Sequence, residues 1–356
     1  MTLNLMWSDQ NSSYLIVDSA RTHQKPPRFS HSILGQRQVL RENVTVEEGA
    51  QKIIPLSDNC VLALCGNEID ITRFAECLKS GMRCGSIYDV CDYLTKIEKS
   101  AKIEVSIAVT ESEPPFTVFK YPARQLYEVV RTHTHITGSL AEAHKEMLIG
   151  EIRRHHLSNN KLTENCELKL VLGLAFATTM AANFALTENY IGGAFFGATL
   201  NRSGFSWQPD IVYILYHSEF SNGLPVVLDG DTGSDFSNIA DADTRVDLVA
   251  CIVRDNVSVS ISPIGNALRC TAACSDMSCE DFDWKNRWEK ELTGEIFCKP
   301  KYYVFVPKQS PGQIVVAENN QQHIRIGGGS IRISSDLVDK LKSKPRGRAF
   351  QACLIK

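Results

Sequence analysis

The sequence contains no uninterrupted apolar run of the roughly 18 residues that a membrane-spanning helix needs. Its closest approach, Leu168 to Leu186, is broken by Thr178, Thr179 and Asn183 and reads as a buried helix. No basic segment followed by an apolar stretch opens the chain, so no signal peptide is expected and a cytoplasmic setting is. Net charge is also scarce. With 38 Lys and Arg against 41 Asp and Glu, the balance of −3 gives no electrostatic case for nucleic acid or an anionic membrane. Paired C-x2-C knuckles are missing, and the C-x3-C-x4-C run of Cys270, Cys274 and Cys279, with Cys298 beyond it, is a weak zinc pattern. Asp229, Asp231 and Asp235 lack the glutamate that completes a calcium loop. Gly327 to Ser330 has neither the lysine nor the helix of a phosphate loop. His133 and His135 share one face of a strand, as surface residues do. No metal and no cofactor are expected.

What is present is an ordinary globular composition, 43% hydrophobic and 22% charged, in a chain of 356 residues with room for two domains. The twelve cysteines lie mostly in apolar patterns and read as reduced thiols used as small hydrophobes. Four Asn-x-Ser/Thr sequons have no role in a cytosolic chain.

Strand pairs are expected over 2–8 with 13–18 and over 52–56 with 60–65, each joined by turn-forming residues. The polar, Pro-containing stretch 23–49 reads as a loop or insertion. Ile71, Phe74 and Leu78, then Ile87, Val90, Leu94 and Ile97, recur at helical spacing. Strands follow over 103–109, 116–120 and 125–130. A helix opens at Ser139, with Glu142 completing a capping box. After the helix at Leu168, strands over 194–200 and 211–216 close the first region. Residues 218–245 are rich in Gly, Asp, Ser and Asn and act as a seam. The expected division is 1–217 and 218–356, the second part strand-rich and matching no pattern with a known role. From periodicity alone the class is α+β.

Thr2 carries the chemistry of greatest interest. Removal of Met1 before this small residue would expose a threonine whose hydroxyl is a nucleophile and whose α-amine, with a pKa of about 8, is its base. Asp18 follows sixteen positions later, at the end of an apolar strand, Tyr14 to Val17. A carboxylate there also serves as an ordinary strand-end cap. Lys52 opens the run Ile53-Ile54-Pro55-Leu56, where a surface lysine is equally ordinary. Paired with Asp18, its ammonium would lower the proton affinity of the Thr2 hydroxyl. Gly66 ends the next strand, either as a plain turn or as a backbone donor to an oxyanion.

Three strings carry a resemblance: residues 2–22, residues 51–66 and E-N-Y-I-G-G-A at 188–194. In order, and with the Thr2–Asp18 and Lys52–Gly66 separations kept, they resemble the proteasome β-type branch of the N-terminal nucleophile hydrolases. The resemblance implies a four-layer αββα sandwich followed by a smaller strand-rich domain. It implies a threonine-type peptidase forming an acyl-enzyme on Thr2, with Asp18 and Lys52 supporting it. Ser139 and Glu188 would stand beside the terminal amine and Gly66 at the oxyanion. Thr22 and Glu68 would pair with substrate, and Leu64 would wall a specificity pocket. Glu188 stands where the family has aspartate and Ile191 where it has serine. Implied partners are a peptide or protein substrate, further copies of the chain in a homo-oligomer, and an unfoldase. Two rivals stay open: an amidohydrolase of small substrates, and an inactive subunit used for assembly or recognition.

Overall fold

The computed structural model describes residues 3–9, 11–23, 39–41, 44–48, 51–66, 71, 74, 103–110, 117–122, 128–131, 134–138, 142–158, 165–184, 191–216, 247–254, 257–264, 267–274, 295–308, 312–320, 323–327, 330–342 and 350–355. The chain starts with a hairpin of β1 (Leu3–Ser8) and β2 (Ser12–Asp18), in register Trp7↔Tyr14 and Asn4↔Val17. Asp9 makes the turn: its Oδ1 accepts from the N–H groups of Asn11 at 2.8 Å and Ser12 at 2.9 Å. On the outer side of β1 lies β11 (His135–Gly138). Beyond β2 lie β12 (Phe195–Asn201) and β13 (Gly204–Trp207), giving the order β11-β1-β2-β12-β13.

A second five-stranded sheet is a meander of β6 (Ile53–Ser57), β7 (Cys60–Gly66), β8 (Ile103–Val109), β9 (Thr117–Pro122) and β10 (Glu128–Arg131). Alternation along β1 sends Leu5 and Trp7 to one face and Asn4 and Met6 to the other. The face carrying Asn4 turns to the second sheet, whose Ile53, Val61, Ala63 and Ala108 join the same core.

The opposite face packs on α2 (Cys166–Asn183), which follows α1 (Glu142–Ser158) and is capped by Asn165 through the Leu168 N–H. Contact is close because β12 has Gly197 here; a Cβ at that position would lie 2.8 Å from a Leu170 methyl and 2.9 Å from the Leu15 carbonyl.

Every residue of α2 from Leu168 to Met180 except Lys169 is buried. A helix apolar on all sides needs cover on all sides. Its far side is covered by a seven-stranded mixed sheet. Its members are β14 (Ile211–Tyr216), β15 (Asp247–Arg254), β16 (Val257–Ile264), β17 (Ala267–Cys274), β18 (Tyr302–Pro307), β19 (Gly312–Glu318) and β22 (Phe350–Ile355), in the order β17-β16-β15-β14-β18-β19-β22. Tyr213, Leu215, Val304 and Val306 face α2 and share its core. Val212, Ile214, Phe305 and Val315 form a second core on the other face. That core is closed by the hairpin β20 (Ile324–Gly327) and β21 (Ser330–Ile333) and by α3 (Ser335–Lys342).

This corrects the expected αββα sandwich. The described residues form twenty-two strands against three α-helices and the isolated helical positions Ile71 and Phe74, and a sheet lies where a solvent-facing helical side was expected. The reason is in α2 itself, which has no polar face to give to water. The expected boundary at 217/218 falls just after β14, whose two neighbours, β15 and β18, both come from beyond it. The stretch 23–49, expected as a loop, includes β4 (Val39–Arg41) and β5 (Val44–Glu48), which pair with β3 (Ala20–His23) in a small sheet of order β3-β5-β4. Ile71 and Phe74 are helical, as their spacing predicts; the remainder of the helices expected there lies outside the described residues. Of the glycine run at 327–330, Gly327 ends β20 opposite Ser330, which opens β21. Among the described residues no helix is long and apolar enough to cross a membrane.

Candidate active site

Three separate segments meet at the start of β1. Asp18 ends β2 one strand over and is fully buried. Lys52 immediately precedes β6, in the other sheet, and is also buried. Lys52 Nζ lies 2.6 Å from Asp18 Oδ1 and joins the two sheets. The same Oδ1 accepts the N–H of Leu3 at 2.9 Å, and Oδ2 accepts the N–H of Gly192 at 3.2 Å. A carboxylate this deep is costly unless its lone pairs are used, and these donors use them.

The Gly192 segment is itself pinned. The Ser19 N–H donates to the Ala194 carbonyl at 2.9 Å, and the Ala194 N–H returns a bond to Ser19 Oγ at 3.0 Å. The Lys52 carbonyl accepts from the Leu64 N–H at 2.9 Å, extending the β6–β7 pairing by one residue. An ammonium group has three protons to give. Among the described residues only Asp18 takes one from Lys52.

Around this pair lie other polar groups. Glu104 on β8 accepts the Gly138 N–H at 3.3 Å, and Gly138 is the partner of Leu3 across β1 and β11. Cys65 sits opposite Glu104. Burial pushes the Cys65 thiol up to about 11; Glu104 and Asp18 add to this, while Lys52 and the chain's amino-terminal charge oppose it. Such a thiol stays protonated at neutral pH and does not compete as a nucleophile. Asn4, Ser106 and Thr137 are buried, and their side-chain polar atoms have no hydrogen-bond partner among the described residues. Asn4 and Thr137 are direct cross-strand neighbours.

Of the residues singled out in the sequence, Asp18 and Lys52 are brought into contact. Gly66 ends β7 with φ +141°, a backbone conformation that favours glycine, opposite Ile103. Leu64 is fully buried in β7 opposite Val105. Thr22 lies on β3 opposite Val46. Thr2, Glu68, Ser139 and Glu188 lie outside the described residues. Ile191 is fully buried and supplies no hydroxyl.

Sequence reading missed the Leu3 and Gly192 donors, Glu104 and Asn4. Backbone donors leave no mark in a side-chain pattern. The two acid or amide residues do: Asn4 interrupts the apolar run L-N-L-M-W, and Glu104 is the one charged residue in I-E-V-S-I-A-V.

Among the described residues there is no cluster of three His, Cys, Asp or Glu side chains able to hold a metal ion. Cys298, one of the weak zinc set, donates its thiol to the Ile326 carbonyl at 2.8 Å. Cys270 and Cys274 lie on β17 opposite Ile261 and Val257; Cys279 and the Asp229–Asp235 loop lie outside the described residues. No protein-family model matches the chain, and no curated protein matches it.

Proposed function

We propose that the chain is an amide hydrolase of the threonine type, with Thr2 as nucleophile once it stands at the amino terminus. One observation carries the reading. The residue after Thr2 is pegged by its N–H to the carboxylate that holds Lys52, and that buried ammonium keeps protons that no described residue takes. A cation next to the first residue of β1 favours ionisation of a hydroxyl there.

Thr2 Oγ would attack the amide carbonyl carbon while its proton passes to its own α-amine. The C–N bond then breaks, the leaving amine takes the proton, and an ester on Thr2 remains. Water, activated by the same amine, cleaves the ester and releases the acid. Gly66 belongs to the reading as a donor to the oxyanion. A peptide is the substrate class we favour. A cytoplasmic setting fits Cys60, Cys65, Cys166, Cys251, Cys298 and Cys353, which carry thiols and not disulfides; cell fractionation tests it.

The deciding experiment is labelling with a threonine-directed electrophile, peptide mapping and intact mass. We expect one adduct, on Thr2, in protein that has lost Met1. Thr2→Ala should abolish labelling and turnover and leave the melting temperature unchanged. Equal turnover by that variant would remove Thr2 as the nucleophile. A retained Met1 with no adduct would favour the inactive-subunit reading, to which the buried Ile191 already lends weight.

A further inference from the structure

Gln51 precedes Lys52 and is itself buried. Its side-chain oxygen, Oε1, accepts the N–H of Ile53 at 3.2 Å. The amide of residue 51 therefore reaches over residue 52 to residue 53 and closes a small ring around the Lys52 backbone. With the oxygen committed to a donor, the nitrogen must find an acceptor. It finds Ser258 Oγ, on β16 of the seven-stranded sheet. Ser258 is fully buried and sits opposite Val253 and Ala273 in the ladder. Along β16, Val257, Val259 and Ile261 belong to the far core, so Ser258 and Ser260 point to the other side of the sheet.

We propose that Ser258 is a positioning residue for Lys52, acting through Gln51, so that the seven-stranded sheet sets the geometry of the candidate active site. The Lys52 chain is then held from three sides. Asp18 holds its ammonium, Leu64 holds its carbonyl, and Ser258 fixes the ring that orients its backbone. The first two contacts come from the five-stranded sheets. Only the third comes from the region after residue 217, and it enters one residue from the lysine. This region thus takes part in the site without giving it a reacting group.

The inference rests on the hydrolase reading for its consequence but not for its geometry, and the test separates the two. The full chain is used, with two readouts. The first is the exchange rate of the Lys52 ammonium protons in a proton–nitrogen NMR spectrum, with Lys169 as an internal control. The second is the rate of Thr2 labelling by the electrophile. Ser258→Ala removes the acceptor and should speed Lys52 exchange about tenfold, the scale of one lost hydrogen bond, without moving Lys169. Ser258→Thr keeps a hydroxyl and should restore the wild-type rate. Ser258→Cys keeps the shape with a weaker acceptor, should fall between, and serves if the alanine variant does not fold. Unchanged Lys52 exchange in Ser258→Ala or Ser258→Cys overturns the proposal, as does equal acceleration at Lys52 and Lys169, which would mean plain destabilisation. Selective acceleration at Lys52 with slower Thr2 labelling supports both readings. Selective acceleration with a wild-type Thr2 that never labels upholds the clamp and sinks the hydrolase.

Discussion

Strand β2 has an Asp–Lys pair at each end, half-buried at its start and buried at its far end, and the two pairs are built differently. At the start, Asp9 accepts from the Asn11 and Ser12 N–H groups, from the Tyr14 hydroxyl at 2.9 Å and from Lys169. Three of those four donors lie within five residues of it, and its side chain keeps 24% of its surface exposed. At the far end, Asp18 keeps none, and its donors come from Leu3, Lys52 and Gly192. The lysines differ too. Lys169 lies over the Tyr14 ring, 6.0 Å from its centroid, so its charge has a second partner. Lys52 has only Asp18 among the described residues. A carboxylate saturated by its own turn is a fastener. Asp18 instead gathers distant segments beside an ammonium whose other protons no described residue takes, the arrangement on which the proposed hydrolase reading rests.

The largest effect should come from Lys52→Met. It strands Asp18 as a fully buried carboxylate with two backbone donors, and breaking such a pair costs about 3–5 kcal/mol. Denaturant unfolding reads it directly. A loss near zero would mean that water reaches Asp18 and that this end is no more special than the other.

Lys169→Met is the matched experiment at the first end. Asp9 keeps three donors and contact with water, so about 1 kcal/mol is expected. Its signature is in pH. Burial pulls the Asp9 carboxyl up, but the Lys169 hydrogen bond, the Asn11 N–H, the Lys169 charge and the Tyr14 hydroxyl outweigh it and hold it below its ordinary value. A carboxyl depressed in the fold contributes stability above its unfolded pKa, about 3.9, and loses it as pH falls through the folded value. Unfolding midpoints followed down through that window should fall less steeply in Lys169→Met than in wild type. If the slopes coincide, or the variant costs as much as Lys52→Met, the contrast between the ends collapses.

Much of this contrast was legible in the sequence and part was not. Two short, largely apolar runs, L-N-L-M-W and Y-L-I-V, on either side of turn-forming residues predict the β1–β2 hairpin, because strand length and turn chemistry are local properties. The pairing of Asp18 with Lys52 follows from the resemblance and from the cost of burying either charge alone. Two things could not be read. One is that α2 is covered by a third sheet: its run of Leu, Ala and Phe shows that it is buried, and nothing local shows by what. The other is that Ser258 reaches Gln51. The two residues are 207 positions apart, and a serine in a strand has no spacing that betrays its partner.

The sharpest probe of the Asp18 end, and one of opposite sign, is Thr137→Val. At the Asp9 end every lone pair of the carboxylate is used. Beside Asp18, the hydroxyl of Thr137 and both polar atoms of the Asn4 amide are buried without a partner among the described residues, on neighbouring strands. Valine has the shape of threonine and the same β-branched preference for a strand. It removes a hydroxyl that was taken from water without compensation. Stability should therefore rise, by about 1 kcal/mol, as buried unsatisfied groups are relieved. A fall of the same size in the unfolding measurement would carry the opposite meaning. It would place a bound water between Thr137 and Asn4, since such a site has polar partners on both sides and its water is costly to lose. The hydroxyl of Thr137 and the amide of Asn4 would then be satisfied through that water, and the contrast between the ends would rest on burial and on the reach of their donors.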